Sequence, residues 1–399
     1  MKDLKYLIEF ENLLENADNE LVQQAQAEGK LAVGYTCYHM PEVLLNVPGC
    51  FSVRLRAPRT GSIDIATYYM SNYTCEYARS LLERAIEGGY QFLDAFAGVD
   101  ACGAMNRCSE HFELLHVNTK PNFFVTHCDI PYKVVDYTVE HDVRQMRKRF
   151  LDVLTEKYGV DTSDAALLAA VEEHNEVCRI LTEIGDFRRL DNPPLTGYEY
   201  HILNLVSYCC PKYLILPKLR ETLEEIKTRV PDQKPWYRAR VEIVGSEIDD
   251  PSLTKLVEEA GAFVVADRYC YGSTPGREPI ELREGEDVLT QICRHYMEHS
   301  ECARYISNEK IQQRRDTADR LAREYRADGI IYEQMKFCDF WAFERPLAGH
   351  ILAEEYGWPV LSIDRPYNAR SSGQLRTRFQ AFVEALEIKR IQKKGGNAE

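Results

Sequence analysis

Short runs of β-forming residues alternate with longer helical patterns twice along the chain, once on either side of a proline-rich break. In the first half, the sequence predicts strands at Leu31–Tyr35, Phe51–Leu55, Phe92–Phe96 and Phe123–Thr126. In the second half, it predicts strands at Ala239–Val244, Phe263–Ala266, Gly329–Tyr332 and Val360–Ile363. Strands that alternate with helices form parallel βαβ units. The pattern therefore predicts an α/β protein with two doubly wound, Rossmann-like parallel-sheet domains.

Two proline-containing breaks set the expected domain boundaries. Asn192-Pro193-Pro194 ends the first alternating block, and Pro231–Pro235 precedes the second. We predict a helical lead-in at 1–30, an N-terminal α/β domain at 31–195, a helical connection at 196–236, a C-terminal α/β domain at 237–388 and a flexible polar tail at 389–399. Doubly wound sheets bind ligands at the carboxyl ends of their strands, so the turns after the strands hold the candidate site residues.

The composition narrows the expected partners and compartment. The net charge is 49 − 63 = −14, and such a surface repels phosphate backbones, so we expect no nucleic-acid partner. The longest uncharged stretch, between Glu199 and Lys212, is too short to cross a bilayer, and the first residues contain no apolar signal-peptide region. We therefore expect a cytoplasmic protein without membrane association. Its 13 cysteines should be thiols or metal ligands rather than disulfides.

Several common site motifs are missing from the sequence. It contains no Gly-x-Gly-x-x-Gly, Walker A, Gly-x-Ser-x-Gly or Cys-x-x-Cys motif. The segment His295–His299 matches the inverted zincin pattern His-x-x-Glu-His, and on a helix the two histidines would face the same side and could chelate zinc. The flanking residues Arg294 and Glu301 favour a solvated helix face instead, so a zinc hydrolase is the weaker hypothesis.

Three distant cysteines form a better constellation. Cys75, Cys102 and Cys338 each precede a predicted helix, and we interpret all three as lying in strand-to-helix turns. Helix N-termini supply free N–H groups and a positive dipole end, which favour thiolate over thiol. Three thiolates could hold three irons of a 4Fe–4S cluster and leave the fourth iron open to substrate. A single buried free cysteine is usually a packing residue, but three in equivalent positions favour a shared ligand.

The other cysteines carry weaker signals. Cys270 and Cys302 lie in loop or helix-end positions and remain candidate additional metal ligands, and Cys108 is a rival to Cys102 that falls inside a helix. The others are predicted to be packing residues; those that lie in apolar helices or near strands are Cys37, Cys50, Cys128, Cys178, Cys209 and Cys210.

Segments through most of the chain resemble the 2-hydroxyacyl-CoA dehydratase family, which includes benzoyl-CoA reductase subunits. In the first half they are Gly34–Glu42, the turns around Cys75 and Cys102, and Asn192–Gly197. In the second half they are Val264–Arg268, Asp328–Tyr332, Lys336–Asp339 and Gly373–Phe382. Each segment is modest alone, and their order and spacing together make the resemblance specific.

The resemblance implies a 4Fe–4S cluster held by Cys75, Cys102 and Cys338. It also implies a CoA-thioester substrate, a homologous partner subunit in a hetero- or homodimer, and a separate ATP-dependent iron–sulfur activator protein. In this family the activator supplies a low-potential electron that reduces the thioester carbonyl to a ketyl radical. The resemblance thus indicates an iron–sulfur subunit of a 2-hydroxyacyl-CoA dehydratase, a lyase that eliminates water in an anaerobic cytoplasm.

Three alternatives stay open within the same resemblance. A benzoyl-CoA-type reductase subunit uses the same cluster and activator, and a non-catalytic partner subunit would keep the fold. Some relatives hold two linked cubanes in one chain, and Cys270 and Cys302 match two of the extra ligand positions. Ser246 stands where a further cysteine would be expected in such a double-cubane reductase relative.

Overall fold

Two four-stranded sheets, each with all strands parallel, form the frame of the protein in the computed structural model, which describes residues 1–273, 277–367 and 373–396. The first sheet contains β1 Leu31–Tyr35, β2 Cys50–Arg54, β3 Ala95–Asp100 and β4 Phe124–Asp129, in the order β2-β1-β3-β4. The second contains β5 Ala239–Val244, β6 Ala262–Arg268, β7 Gly329–Met335 and β8 Val360–Arg365, in the equivalent order β6-β5-β7-β8. The predicted α/β class with two Rossmann-like sheets is confirmed.

Helices cover the sheets and connect them. Up to the second sheet they are α1 Leu7–Leu13, α2 Glu20–Ala27, a 3₁₀ turn Glu42–Asn46, α3 Asp64–Met70, α4 Glu76–Ile86, α5 Gly103–Leu114, α6 Asp136–Met146, a π-helical turn Arg147–Leu151, α7 Asp152–Tyr158, α8 Asp164–Asp186, a 3₁₀ turn Phe187–Arg189, α9 Gly197–Cys209 and α10 Lys212–Thr228. The later ones are α11 Ser252–Glu259, α12 Val288–Glu298, α13 Asn308–Glu324, α14 Asp339–Glu354 and α15 Gly373–Gly396.

Helix α15 includes residues 389–396 of the segment predicted as a tail, and 397–399 lie outside the described residues. Within the described chain, no helix combines the length and apolar character needed to cross a bilayer.

Strand β3 starts three residues later than the sequence pattern predicts. The Asp94 carboxylate accepts a hydrogen bond from the Ala32 N–H at 2.8 Å and one from the Lys120 ammonium at 2.8 Å. These contacts hold Asp94 before the strand, and pairing with β1 begins at Ala95. The predicted strand bounds Phe92–Phe96 were therefore wrong, because Phe92 packs in the hydrophobic core before the strand begins. The shift places the carboxyl end of β3 at Asp100, two residues before Cys102.

Helix α12 lies in the second half of the sequence but packs on the first half. Its residues Leu289, Ile292 and Tyr296 share a hydrophobic core with Val33 of β1 and with α6, α7 and α8. The two halves therefore share buried surface rather than meeting across a solvated hinge.

Asp142 on α6 provides a pH-dependent contact to α12. Its side chain is 2% exposed and lies against the Cys293 thiol. Burial raises the pKa of Asp142 to about 7, although the Cys293 contact acts in the opposite direction. The carboxyl of an unfolded chain titrates near 4, so between about pH 4 and pH 7 the folded protein holds a proton that the unfolded chain has lost.

The Asp142→Asn variant should lose this pH dependence of stability. Stability of the wild type should fall as pH rises from 4 to 7, by about 1.4 kcal/mol per unit from this group, because the folded carboxyl must ionise without solvent. Asparagine has no proton to lose, so the difference between variant and wild type should grow in favour of the variant over that range. Urea unfolding at pH 5, 6 and 7 measures it. Asp136→Asn, at an 86% exposed side chain on the same helix, is the matched control and should leave the slope unchanged. Equal slopes in wild type and D142N would contradict the assignment.

Candidate functional site

A cavity lies where the carboxyl ends of the two sheets face each other, and together with the solvent at its mouth it occupies about 980 Å³. Its walls come from turns that directly follow strands: residues 36–39 after β1, 101–102 after β3, 245–247 after β5 and 269–270 after β6. Doubly wound folds bind ligands at this edge because the turns there are free of the sheet's hydrogen-bond ladder. The cavity is therefore the candidate functional site.

The three cysteines singled out by the sequence pattern all line this cavity, and each is the N-cap residue of a helix. Cys75 caps α4, Cys102 caps α5 and Cys338 caps α14. Cys102 follows β3 and Cys338 follows β7, as predicted. The prediction that Cys75 lies in a strand-to-helix turn was wrong, because the short helix α3 is inserted between β2 and α4.

Desolvation and mutual repulsion disfavour the thiolate forms of these three cysteines in the protein alone. Desolvation raises the pKa of Cys75 to about 11 and raises the pKa of Cys102 and Cys338 further. The Cys75 sulfur also raises the pKa of both other thiols, which shows that the three sulfurs lie close enough to interact. Backbone N–H groups in the first helical turns act in the opposite direction; they belong to Tyr77, Ala78, Met105 and Trp341.

This donor set fits an iron–sulfur cluster. A bound cation would stabilise neighbouring thiolates that are otherwise unfavourable, and helix N-termini add favourable dipoles. Thiolates are the usual ligands of such clusters. Within the described residues, no three His, Cys, Asp or Glu side chains converge as they would around one metal ion. A cubane binds each thiolate to a different iron, so its ligands need not converge on one point.

Three further cysteines line the same cavity: Cys37, Cys270 and Cys302. Cys270 and Cys302 were left open by the sequence. Cys37 was predicted to be a packing residue, and it does pack against the core that contains Val33, but it also lines the cavity, which was not predicted. The Cys37 sulfur lies 3.4 Å from His39 Nδ1, and Cys302 raises the pKa of Cys37. Cys37 follows β1 in the way that Cys102 follows β3, so the same positional rule could have found it.

The remaining seven cysteines are buried, as expected of packing residues; they are Cys50, Cys108, Cys128, Cys178, Cys209, Cys210 and Cys293. Cys108 does not line the cavity, so it is not the ligand that competes with Cys102.

The Ser246 hydroxyl is engaged in hydrogen bonds within the protein, so it is not free to act as a metal ligand. Its hydroxyl donates to Glu333 Oε1 at 2.8 Å and accepts from the Met335 N–H at 2.7 Å. Glu333 is held in turn by Arg365 Nε at 2.9 Å. The serine is thus part of a buried network that joins β5, β7 and β8.

The histidine pair considered for zinc lies outside this site. The rings of His295 and His299 stack with centroids 4.2 Å apart, and His299 Nδ1 donates to the His295 carbonyl at 2.9 Å. No third His, Cys, Asp or Glu joins them to form a metal-binding group in the described part of the chain. A zinc hydrolase therefore has no supporting geometry.

A family model described as 2-hydroxyglutaryl-CoA dehydratase, D-component, matches residues 37–386. The chain is 24% identical to the (R)-phenyllactyl-CoA dehydratase beta subunit of Clostridium sporogenes over 96% of its length and 99% of that protein. It is 22% identical to the (R)-2-hydroxyglutaryl-CoA dehydratase beta subunit of Acidaminococcus fermentans, with 95% and 99% covered. It is 20% identical to a benzoyl-CoA reductase subunit of Thauera aromatica, with 89% and 91% covered.

Proposed function

The chain belongs to the 2-hydroxyglutaryl-CoA dehydratase D-component family, and from that premise we propose that it is an iron–sulfur subunit of a 2-hydroxyacyl-CoA dehydratase. The observation that carries this proposal is that Cys75, Cys102 and Cys338, each at a helix N-terminus, line one cavity between the two sheets. The reaction is elimination of water from a 2-hydroxyacyl-CoA thioester.

In this proposal Cys75, Cys102 and Cys338 hold a 4Fe–4S cluster. When bound, the cluster would supply the low-potential electron that turns the thioester carbonyl into a ketyl radical, and its open iron could act as a Lewis acid toward the carbonyl oxygen. The chain's own residues provide the enclosure. Met105, Phe340 and Trp341 line the cavity and exclude water, which protects a radical from side reactions.

The proposal includes partners that the chain does not itself supply. The names of the relatives as beta subunits support a homologous partner subunit, in a hetero- or homodimer. A separate ATP-dependent iron–sulfur activator would deliver the electron. Such chemistry requires an oxygen-free cytoplasm.

One observation favours a second candidate, a double-cubane reductase relative. Cys37, Cys270 and Cys302 line the same cavity as the first three cysteines, so six thiols face one space. One observation argues against this candidate. The position expected to hold a further cysteine ligand is Ser246, whose hydroxyl is already hydrogen-bonded to Glu333 and Met335.

Turnover distinguishes the remaining possibilities. Anaerobically purified protein with its partner subunit, activator and ATP should dehydrate a 2-hydroxyacyl-CoA and leave benzoyl-CoA unreduced. Reduction of benzoyl-CoA alone would assign the reductase. Full dehydration by the partner and activator without this chain would assign a non-catalytic role to it.

The iron content separates one cluster from two. We expect about four irons and four acid-labile sulfides per chain, since three ligating cysteines suffice for one cubane. Cys302→Ala should leave that count unchanged. About eight irons, reduced to about four in C302A, would instead support the double-cubane candidate.

A further inference from the structure

Two carboxyl groups line the cavity, and the protein saturates only one of them. Glu301 accepts hydrogen bonds from the Thr317 hydroxyl at 2.6 Å on one oxygen and from Arg268 Nε on the other. Glu247 is different. The carboxyl group contacts the Cys270 thiol, but its Oε1 atom is buried and finds no hydrogen-bond partner among the described residues.

Among the described residues of the wall, the Tyr38 hydroxyl is also buried without a hydrogen-bond partner, on a ring that packs against Tyr296 of α12. The His39 and Ser246 side chains are satisfied within the protein. Both ring nitrogens of His39 are engaged, Nδ1 with the Cys37 sulfur at 3.4 Å and Nε2 with the Ser300 hydroxyl at 3.0 Å. The Ser246 hydroxyl is engaged with Glu333 and Met335. A buried oxygen without a partner is unfavourable, so Glu247 Oε1 is the carboxyl acceptor on this wall that a ligand can satisfy.

The backbone that carries Glu247 is held rigidly. Gly245 N–H donates to the Arg268 carbonyl at 3.0 Å, and the Ser246 carbonyl accepts from the Cys270 N–H at 3.1 Å. A Cβ atom on Gly245 would come within 2.5 Å of the Glu333 carbonyl oxygen, so the turn packs directly on β7. A group fixed in this way is preorganised to select a ligand.

Glu247 also lies on the side of the cavity that contains the proposed cluster ligands. When ionised, Glu247 raises the pKa of the Cys75 thiol, and Cys75, Tyr77 and Ala78 of helix α4 line the cavity with it. Burial raises the pKa of Glu247 itself to about 8, and a protonated carboxyl group still offers an acceptor oxygen. An acyl group bound near Cys75 would therefore place the substituents next to its carbonyl within reach of this carboxyl group.

Resting on the proposed function, we propose that Glu247 Oε1 accepts a hydrogen bond from the 2-hydroxyl group of the acyl chain and makes the site selective for 2-hydroxyacyl thioesters. A site that offers a buried acceptor to a hydroxyl rejects the analogue that lacks the hydroxyl, because the acceptor then stays unpaired. An aryl thioester such as benzoyl-CoA would leave it unpaired in the same way. Glu247 is thus a specificity residue that favours the dehydratase over the reductase.

Calorimetric binding to the anaerobically purified protein, without activator, tests this role. The ligands are three pairs that differ by one hydroxyl: lactoyl-CoA and propanoyl-CoA, 2-hydroxyglutaryl-CoA and glutaryl-CoA, and phenyllactyl-CoA and 3-phenylpropanoyl-CoA. Wild type should bind at least one hydroxylated member about ten- to a hundred-fold more tightly than its partner, the range of one hydrogen bond to a buried carboxyl group. Glu247→Met, which keeps the length of the side chain, should bind both members equally, at the weaker affinity.

Two control variants make the outcomes distinct. Glu247→Gln keeps one acceptor oxygen and should retain part of the preference, which a merely structural role would not produce. Glu259→Gln, on the surface of α11, should bind like wild type. An unchanged preference in E247M, or no preference in wild type, would overturn the role of Glu247 and leave the CoA-thioester proposal intact. Absence of binding to all six thioesters would overturn both.

Discussion

Replacement of Cys75, Cys102 or Cys338 by alanine is expected to remove the iron–sulfur cluster from the protein. Each variant should fall from about four irons per chain to less than one, with a parallel loss of acid-labile sulfide and of the EPR signal of the reduced protein. The reason is that only three cysteines would hold the cluster in this site. Removal of one leaves two ligands and an exposed iron.

The matched control for this series is Cys209→Ala. Cys209 is buried in α9, its sulfur contacts the Arg54 carbonyl at 3.4 Å, and it is not among the residues that line the cavity. Its replacement removes the same chemical group and should leave iron and sulfide unchanged. Far-UV circular dichroism should show that all four variants are folded. Full iron content in folded C75A, C102A and C338A would contradict the assignment of these ligands.

The Lys212→Met variant is expected to lose about 3–5 kcal/mol of stability, the typical cost of leaving a buried charge without its partner. Lys212 Nζ lies 2.6 Å from Glu42 Oε1, with both side chains almost fully buried, and it also donates to the Ser207 carbonyl at 2.9 Å. This pair joins helix α10 to the turn after β1. Urea unfolding at pH 7 measures the loss.

The pair also has a pH signature. Burial acts to raise the pKa of Glu42, but attraction to Lys212 and Arg277, the influence of His174 and the hydrogen bond from Lys212 together outweigh it, and the pKa is lowered. The stabilisation is therefore present above the pKa of an unfolded glutamate, near 4.3, and is lost as pH falls through the folded value. Lys218→Met, which breaks a more exposed pair with Glu9, should cost much less. The double variant Lys212→Met/Glu42→Gln should recover part of the loss, and equal costs for K212M and K218M would contradict the buried-pair account.

The strands and their class were predictable because parallel sheets covered on both faces have nearly continuous apolar strands. Strand β6 shows this, since its residues from Ala262 to Ala266 are all apolar and buried. The placement of Cys102 and Cys338 followed from the rule that ligands bind at the carboxyl ends of strands. The same rule also predicts a cavity position for Cys37, because Cys37 follows β1. The sequence-based prediction treated Cys37 only as a packing residue, so its place on the cavity wall was missed.

Other features depend on contacts between residues distant in sequence. The start of β3 is set by Asp94 bonding to Ala32, and the role of Ser246 by Glu333, a residue 87 positions away. The unpaired oxygen of Glu247 is visible only once every neighbouring donor has been placed. Sequence patterns report periodicity within one element, and these contacts join separate elements.

The packing of α12 on the first half has a consequence for synthesis of the chain on the ribosome. The core that contains Val33 stays incomplete until Leu289, Ile292 and Tyr296 have been translated and have left the exit tunnel. Domains usually fold in the order in which they emerge. Here the N-terminal sheet keeps apolar surface exposed until α12 has been synthesised. The connecting helices and the first two strands of the second sheet are synthesised during that interval. We expect such a chain to need chaperone protection during that interval, and we expect a gene split at the proline-rich break to yield a first half that aggregates.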